Sequence, residues 1–169
     1  NMTFGQGQTE TMLQMGAAFN AVVNGGTYYR PRLVDGYVKT DGSVEQQEPV
    51  VVKADVIKPE TSQTVREILS YSMSKNYPVY GIRSLRPEYS YGGKTGTAQV
   101  PKPNGGYYDD RYNGTFTGFI GGDKPEYVIV VSVHEPKNIT GYAGAKAAAP
   151  VYFRLADMLI DNFGVKPKS

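Results

Sequence analysis

Gly92-Gly93-Lys94-Thr95-Gly96-Thr97-Ala98-Gln99 is the stretch on which the reading of this chain turns. Its Gly-Lys-Thr triplet first suggests a phosphate-binding loop. That motif needs a glycine five residues before its second glycine, and position 88 is Glu88. It also needs a helix to follow, whereas Thr97-Ala98-Gln99-Val100-Pro101 has the composition of a strand closed by proline. The same letters serve a different use when they lie on a strand. The Lys94 ammonium supplies a positive field for a carboxylate, the Thr95 and Thr97 hydroxyls supply directed hydrogen bonds, and Gly96 lets another backbone lie close. The Thr97 N–H is then placed to face a developing oxyanion.

The sequence around this strand divides into short elements. Thr9 and Thr11 are candidate N-caps for a helix over 9–24, in which Met12, Met15, Phe19, Val22 and Val23 recur at helical spacing before Gly25-Gly26. Aromatic and β-branched residues over 28–52, broken by Asp41-Gly42, predict a strand pair. Pro59 opens a second helix over 59–74 with Val65, Ile68, Leu69 and Met73 on one stripe. The following residues, 76–91, have no period and read as a loop. Strands are expected over 94–100, 115–120 and 127–133, with a turn-rich insert from Pro101 to Gly114 between the first two. The last of these, Tyr-Val-Ile-Val-Val-Ser-Val, is almost continuously apolar and reads as a central strand covered on both faces. Tyr152, Leu155, Ala156, Leu159, Ile160 and Phe163 make the stripe of a final helix over 150–163, ended by Gly164. The expected fold class is α+β, an antiparallel sheet with helices on both faces.

Composition excludes several functions. With 169 residues, 40% hydrophobic and 20% charged, the chain has enough material for one packed domain. Eighteen Lys and Arg against 16 Asp and Glu, in no long runs, give no footprint for nucleic acid. The absence of Cys and a single histidine, His134, remove thiol nucleophiles and multi-histidine metal sites. His134 reads as a structural or surface residue, and Asp109-Asp110 as a solvated acidic turn. No apolar run is long enough to span a membrane.

The order of motifs is more specific than any one of them. Gly93 to Gln99, then Phe116-Thr117-Gly118-Phe119-Ile120-Gly121-Gly122, then the strand ending His134-Glu135-Pro136, then Gly144-Ala145-Lys146-Ala147-Ala148-Ala149-Pro150-Val151-Tyr152-Phe153, closely resembles the C-terminal part of class B penicillin-binding proteins. Upstream, Gly5-Gln6-Gly7, Thr11-Met12-Leu13-Gln14, Tyr29-Arg30-Pro31-Arg32-Leu33-Val34 and Ile57-Lys58-Pro59-Glu60-Thr61 agree with the same family. Met12 departs from it, since the family usually has proline there, and so does the aromatic loop from Tyr77 to Tyr91.

That resemblance implies a D,D-transpeptidase that cross-links peptidoglycan through a serine acyl-enzyme and is the target of β-lactams. It implies the transpeptidase/β-lactamase-like fold, with a five-stranded sheet in the parent. Lys94, Thr95, Gly96 and Thr97 become the substrate-binding residues, with Lys94 and Thr97 also catalytic, and neither metal nor cofactor is required. The family's nucleophile is the serine of a Ser-x-x-Lys motif that precedes everything seen here. The letters occur once, Ser72-Met73-Ser74-Lys75, but in the wrong order along the chain, and Ser74-Lys75-Asn76 overlaps them and cannot be a separate Ser-x-Asn motif. The expectation is therefore the C-terminal half of a transpeptidase domain, silent by itself, with the nucleophile, its lysine and an N-terminal membrane anchor upstream. Implied partners are peptidoglycan stem peptides, β-lactams, the upstream half of the domain and cell-division or elongation proteins, at the extracytoplasmic face of the bacterial cell membrane. A β-lactamase, a β-lactam sensor domain or a non-catalytic scaffold of the same fold are the alternatives; fast hydrolysis of β-lactams by the full-length protein marks the first.

Overall fold

A computed structural model describes residues 9–169. The first helix, α1 (Met12–Val23), starts later than the capping pattern alone suggests, because Thr11 and not Thr9 is its N-cap. The Thr11 hydroxyl accepts from the Gln14 N–H, and the Gln14 side chain accepts in return from the Thr11 N–H, so two otherwise unpaired donors are satisfied. The Gly5-Gln6-Gly7 turn lies outside the described residues.

The expected strand pair over 28–52 is two separate ribbons. β1 (Tyr28–Tyr29) pairs antiparallel with β4 (Val51–Lys53), and between them β2 (Gly36–Val38) pairs with β3 (Val44–Gln46). Two ladders result because the tight turn at Asp41-Gly42, where Gly42 takes φ 82°, closes only the inner ribbon. α2 (Pro59–Asn76) then packs along the main sheet, with Pro59 at its first turn and Glu60 beside the positive end of its dipole. The stretch read as a loop after it begins with a short 3-10 turn, Tyr77–Tyr80.

Three long antiparallel strands form the main sheet in the order β5-β6-β7: β5 (Ser90–Pro101), β6 (Tyr107–Gly121) and β7 (Pro125–His134). Two expectations are corrected here. The insert from Pro101 to Gly114 is mostly strand, since β5 runs to Pro101 and β6 begins at Tyr107, leaving a turn only at 102–106 with Gly105 and Gly106 at positive φ. The apolar strand β7 is not central: β6 is in the middle, and β7 has one strand neighbour among the described residues. β7 is apolar on both sides because helices lie over both. Gly16 of α1 comes up against Val130, while Ile129 and Val131 join the core on the opposite face.

That core is built on α3 (Ala149–Phe163), which enters through a π-helical turn at Gly144–Ala148 and ends at Gly164 with φ 68°. Tyr152 and Phe153 of α3 meet Phe116 of β6, with ring centroids 4.5 Å apart for Phe116 and Tyr152 and 5.2 Å apart for Tyr152 and Phe153 in edge contact. The Tyr152 hydroxyl, fully buried, donates to the Phe119 carbonyl, so the core carries no orphaned phenol. Burial pushes the Tyr152 phenol far above its ordinary range, and it stays neutral and a donor. Arg86 fastens the loop before β5 to α3 through a bidentate pair with Asp161, 2.7 and 3.2 Å, which holds the Asp161 carboxyl below the usual range.

Candidate active site

The register of the sheet sorts the motif by face. Lys94 pairs with Thr117, which pairs with Val130, so these three share the face on which α1 packs; Gly96, Thr115 and Ser132 form the next row of that face. Thr95, Phe116 and Val131 are directly opposite one another on the α3 face, followed by Thr97, Gly114 and Val133. Lys94 and Gly96 therefore point to one side of β5, and Thr95 and Thr97 to the other. Lys94 is exposed and its ammonium donates back over the strand to the Thr95 carbonyl at 2.7 Å. β5 is an outer strand, so the backbone groups on its far side have no strand partner among the described residues.

Gly92 and Gly93 do not precede the strand as a turn; they lie inside it. A Cβ at Gly92 would overlap the Phe119 ring, and one at Gly93 would overlap the Phe116 ring, so the glycines let two core aromatics press directly on the backbone that carries Lys94. The motif strand is seated on the core from both sides.

Thr97 opens into a cleft of about 740 Å³. Its walls are Thr97 and Gln99 of β5, Asp110 and Tyr112 of β6, and the loop 136–143 after β7. Several of these residues carry no motif and were missed from sequence. The three tyrosines of Tyr107-Tyr108-Asp109-Asp110-Arg111-Tyr112 were the available signal, since aromatic residues favour a strand over an acidic turn. Asp109 and Asp110 are accordingly exposed strand residues of β6.

The loop is tied at its start. Arg111 grips Glu135 with two hydrogen bonds of 2.6 Å, Tyr108 stacks beneath the guanidinium at 4.3 Å, and the Glu135 N–H donates to Asn113. Glu135 takes φ 44°, a left-handed conformation for a non-glycine residue that this clamp holds in place, and Asn138 takes φ 56° further along the loop. Arg111 keeps the Glu135 carboxyl below the ordinary carboxylate range. His134 lies exposed at the end of β7, with Ser132 Oγ 3.4 Å from its Nε2. The Ser72 and Lys75 pair is on α2: Ser72 accepts from Asn76, and the Lys75 ammonium sits 5.4 Å from the Tyr71 ring centroid.

Comparison with known proteins agrees with this fold. The family model for the penicillin binding protein transpeptidase domain matches residues 1–157. Among curated proteins the chain is similar to Penicillin-binding protein PbpB of Mycolicibacterium smegmatis, 34% identical over 172 residues, and to Stage V sporulation protein D of Bacillus subtilis, 35% over 167. Each alignment covers 98% of this chain but only 26% and 25% of those proteins, so the chain spans about a quarter of the length of the curated relatives it matches. Among solved structures it is similar to Penicillin binding protein 3 of Mycobacterium tuberculosis in its apo form, with 33% identity and a TM-score of 0.79 over 99% of this chain and 38% of that one. The same protein complexed with aztreonam matches with a TM-score of 0.78. With the transpeptidase/β-lactamase-like arrangement of helices and antiparallel strands, and with a family model that covers nearly its whole length, the chain belongs to the transpeptidase domain family of the class B penicillin-binding proteins.

Proposed function

We propose that the chain supplies the Lys94-Thr95-Gly96-Thr97 wall of an acyl-transfer site that cross-links peptidoglycan stem peptides, and that the serine nucleophile comes from outside the described residues. The observation that carries this reading is the position of the motif on an outer strand, with its far edge unpaired by any described strand and a cleft opening at Thr97. A stem peptide ending in D-Ala-D-Ala adds to that edge as a further strand, Gly96 allowing the close approach. Lys94 provides positive charge on one side of the strand, while the Thr95 and Thr97 hydroxyls receive the terminal carboxylate on the other.

In the reaction the serine oxygen attacks the carbonyl of the penultimate D-Ala and loses its proton to a lysine base. The tetrahedral oxyanion is held by the Thr97 N–H and the N–H of the serine itself. Collapse breaks the peptide bond, and the terminal D-Ala leaves as an amine that takes the proton. An amine of a neighbouring stem then attacks the ester, forms the new amide and returns a proton to the serine oxygen. A β-lactam follows the first half only: its ring amide opens, the leaving nitrogen stays tethered, and the ester persists. The full-length protein works by this reading at the extracytoplasmic face of the bacterial membrane, together with division or elongation proteins, and uses no metal or cofactor. Among the described residues no helix is long and apolar enough to cross a membrane.

The test is release of D-Ala by the full-length protein from a pentapeptide ending in D-Ala-D-Ala. Release that stops after pre-incubation with one equivalent of penicillin is the expected result. No release, together with rapid turnover of the penicillin, would replace this reading with a β-lactamase.

A further inference from the structure

The Thr97 hydroxyl does not hang free in the cleft. Its oxygen accepts a hydrogen bond from the backbone N–H of Gly144, 3.1 Å away, in the π-helical turn before α3. The turn sits unusually close to the sheet. A Cβ on Gly144 would overlap the Gly96 carbonyl oxygen and lie 3.0 Å from the Thr115 carbonyl oxygen, and a Cβ on Gly114 would overlap the backbone of Ala143. Ala143 is 2% exposed. Two glycines facing each other across this contact, Gly114 on the strand and Gly144 on the turn, let backbone pack on backbone with no side chain between. On its other side the turn is held by Lys146, whose ammonium donates to the Val79 carbonyl at 2.7 Å.

A hydroxyl has one hydrogen to give and two lone pairs to receive with. The Gly144 N–H occupies a lone pair from the core side, so the hydroxyl hydrogen is turned away from it, toward the cleft that Thr97 lines. We infer that Gly144 is a positioning residue: its N–H fixes the Thr97 hydroxyl as a donor aimed at the carboxylate of the substrate or β-lactam. This rests on the transpeptidase reading. Thr95 lies on the same face but has no such backbone partner among the hydrogen bonds of the described residues; its hydroxyl meets the Lys94 ammonium at 3.4 Å instead. The two threonines thus differ in how they are held: the Thr97 hydroxyl is fixed by a segment 47 residues away in sequence, and the Thr95 hydroxyl by its neighbour Lys94.

The experiment compares acylation of the full-length protein by a penicillin and by its carboxylate methyl ester, in the wild type, Thr97→Val, Thr97→Ser and Gly144→Ala. The ester keeps the reactive ring but removes the charge that the oriented hydroxyl serves. Thr97→Val is expected to lower the acid-to-ester rate ratio by about ten- to a hundredfold, the usual worth of a hydrogen bond to a charged group, and Thr97→Ser to restore it. Gly144→Ala is expected to lower the same ratio, because its methyl group displaces the N–H from Thr97. A ratio unchanged in Thr97→Val would overturn the inference, as would an equal loss on both compounds in Thr97→Val and Gly144→Ala. If Gly144→Ala does not fold, amide hydrogen exchange carries the test: the Gly144 N–H, which loses its acceptor in Thr97→Val and keeps it in Thr97→Ser, is expected to exchange at least about tenfold faster in the first and at the wild-type rate in the second, and an unchanged rate in Thr97→Val would overturn the inference. A wild-type protein acylated by neither compound would instead sink the transpeptidase reading, and this inference with it.

Discussion

Replacing Lys94 with alanine in the full-length protein is expected to slow acylation by a β-lactam by on the order of a hundredfold or more, with the melting temperature unchanged. The ammonium is exposed and its hydrogen bonds are local, to Thr95 alone, so no packing depends on it. In the proposed reaction it supplies charge next to a reacting carbonyl, and loss of one such preorganised electrostatic contact costs about two to three orders of magnitude in rate. Stopped-flow acylation with a fluorescent penicillin measures it. Because the neighbouring Gly92 and Gly93 rest on the Phe119 and Phe116 rings, the strand itself stays in place. A rate within twofold of wild type would make Lys94 an ordinary surface residue.

Phe116→Ala should produce the largest loss of stability of any single substitution in the sheet. Phe116 is wholly buried, its ring meets Tyr152 at 4.5 Å, and Tyr80 stands edge-on at 5.8 Å. Removing a buried phenylalanine ring costs about 3–5 kcal/mol when the surroundings cannot collapse into the space. Here they are constrained: Gly93 and Gly118 bring backbone against this ring, and backbone in a paired ladder cannot move in to fill the gap. Urea denaturation of the full-length protein, followed by near-ultraviolet circular dichroism, should show a cooperative transition at much lower denaturant. A loss below 1 kcal/mol would mean that the core rests elsewhere, on Ile120 and Ile160.

How far these features could be read in advance depends on whether they are local. The α3 stripe from Tyr152 to Phe163 and its left-handed stop at Gly164 are local and were legible. So was the motif strand, whose letters carry their own chemistry. Gly92 and Gly93 fell outside the strand expected over 94–100 because glycine has no side chain to show a strand pattern; they lie inside it where the Phe116 and Phe119 rings, more than 20 residues away, press on their backbone. The apolar run of β7 signals cover on both faces but not a position in the sheet, and α1 and α3 provide that cover while β6 takes the middle. In the candidate site, Lys94 to Thr97 were named from sequence as the motif, but the separation of Lys94 from Thr97 by face follows from register. The cleft walls at Gln99, Asp110 and Tyr112, the Arg111–Glu135 clamp and the Gly144 contact join distant segments and leave no short pattern.

The central claim is that these residues line an acyl-transfer site whose serine lies elsewhere in the protein. Peptide mapping by mass spectrometry of the full-length protein, after exposure to one equivalent of penicillin, tests it most directly. The account predicts a single penicilloyl ester on a serine of a Ser-x-x-Lys motif outside residues 9–169, formed at least a hundredfold more slowly in Lys94→Ala. An adduct on Ser72, lost in Ser72→Ala, would contradict it, because the serine on α2 would then be the true nucleophile.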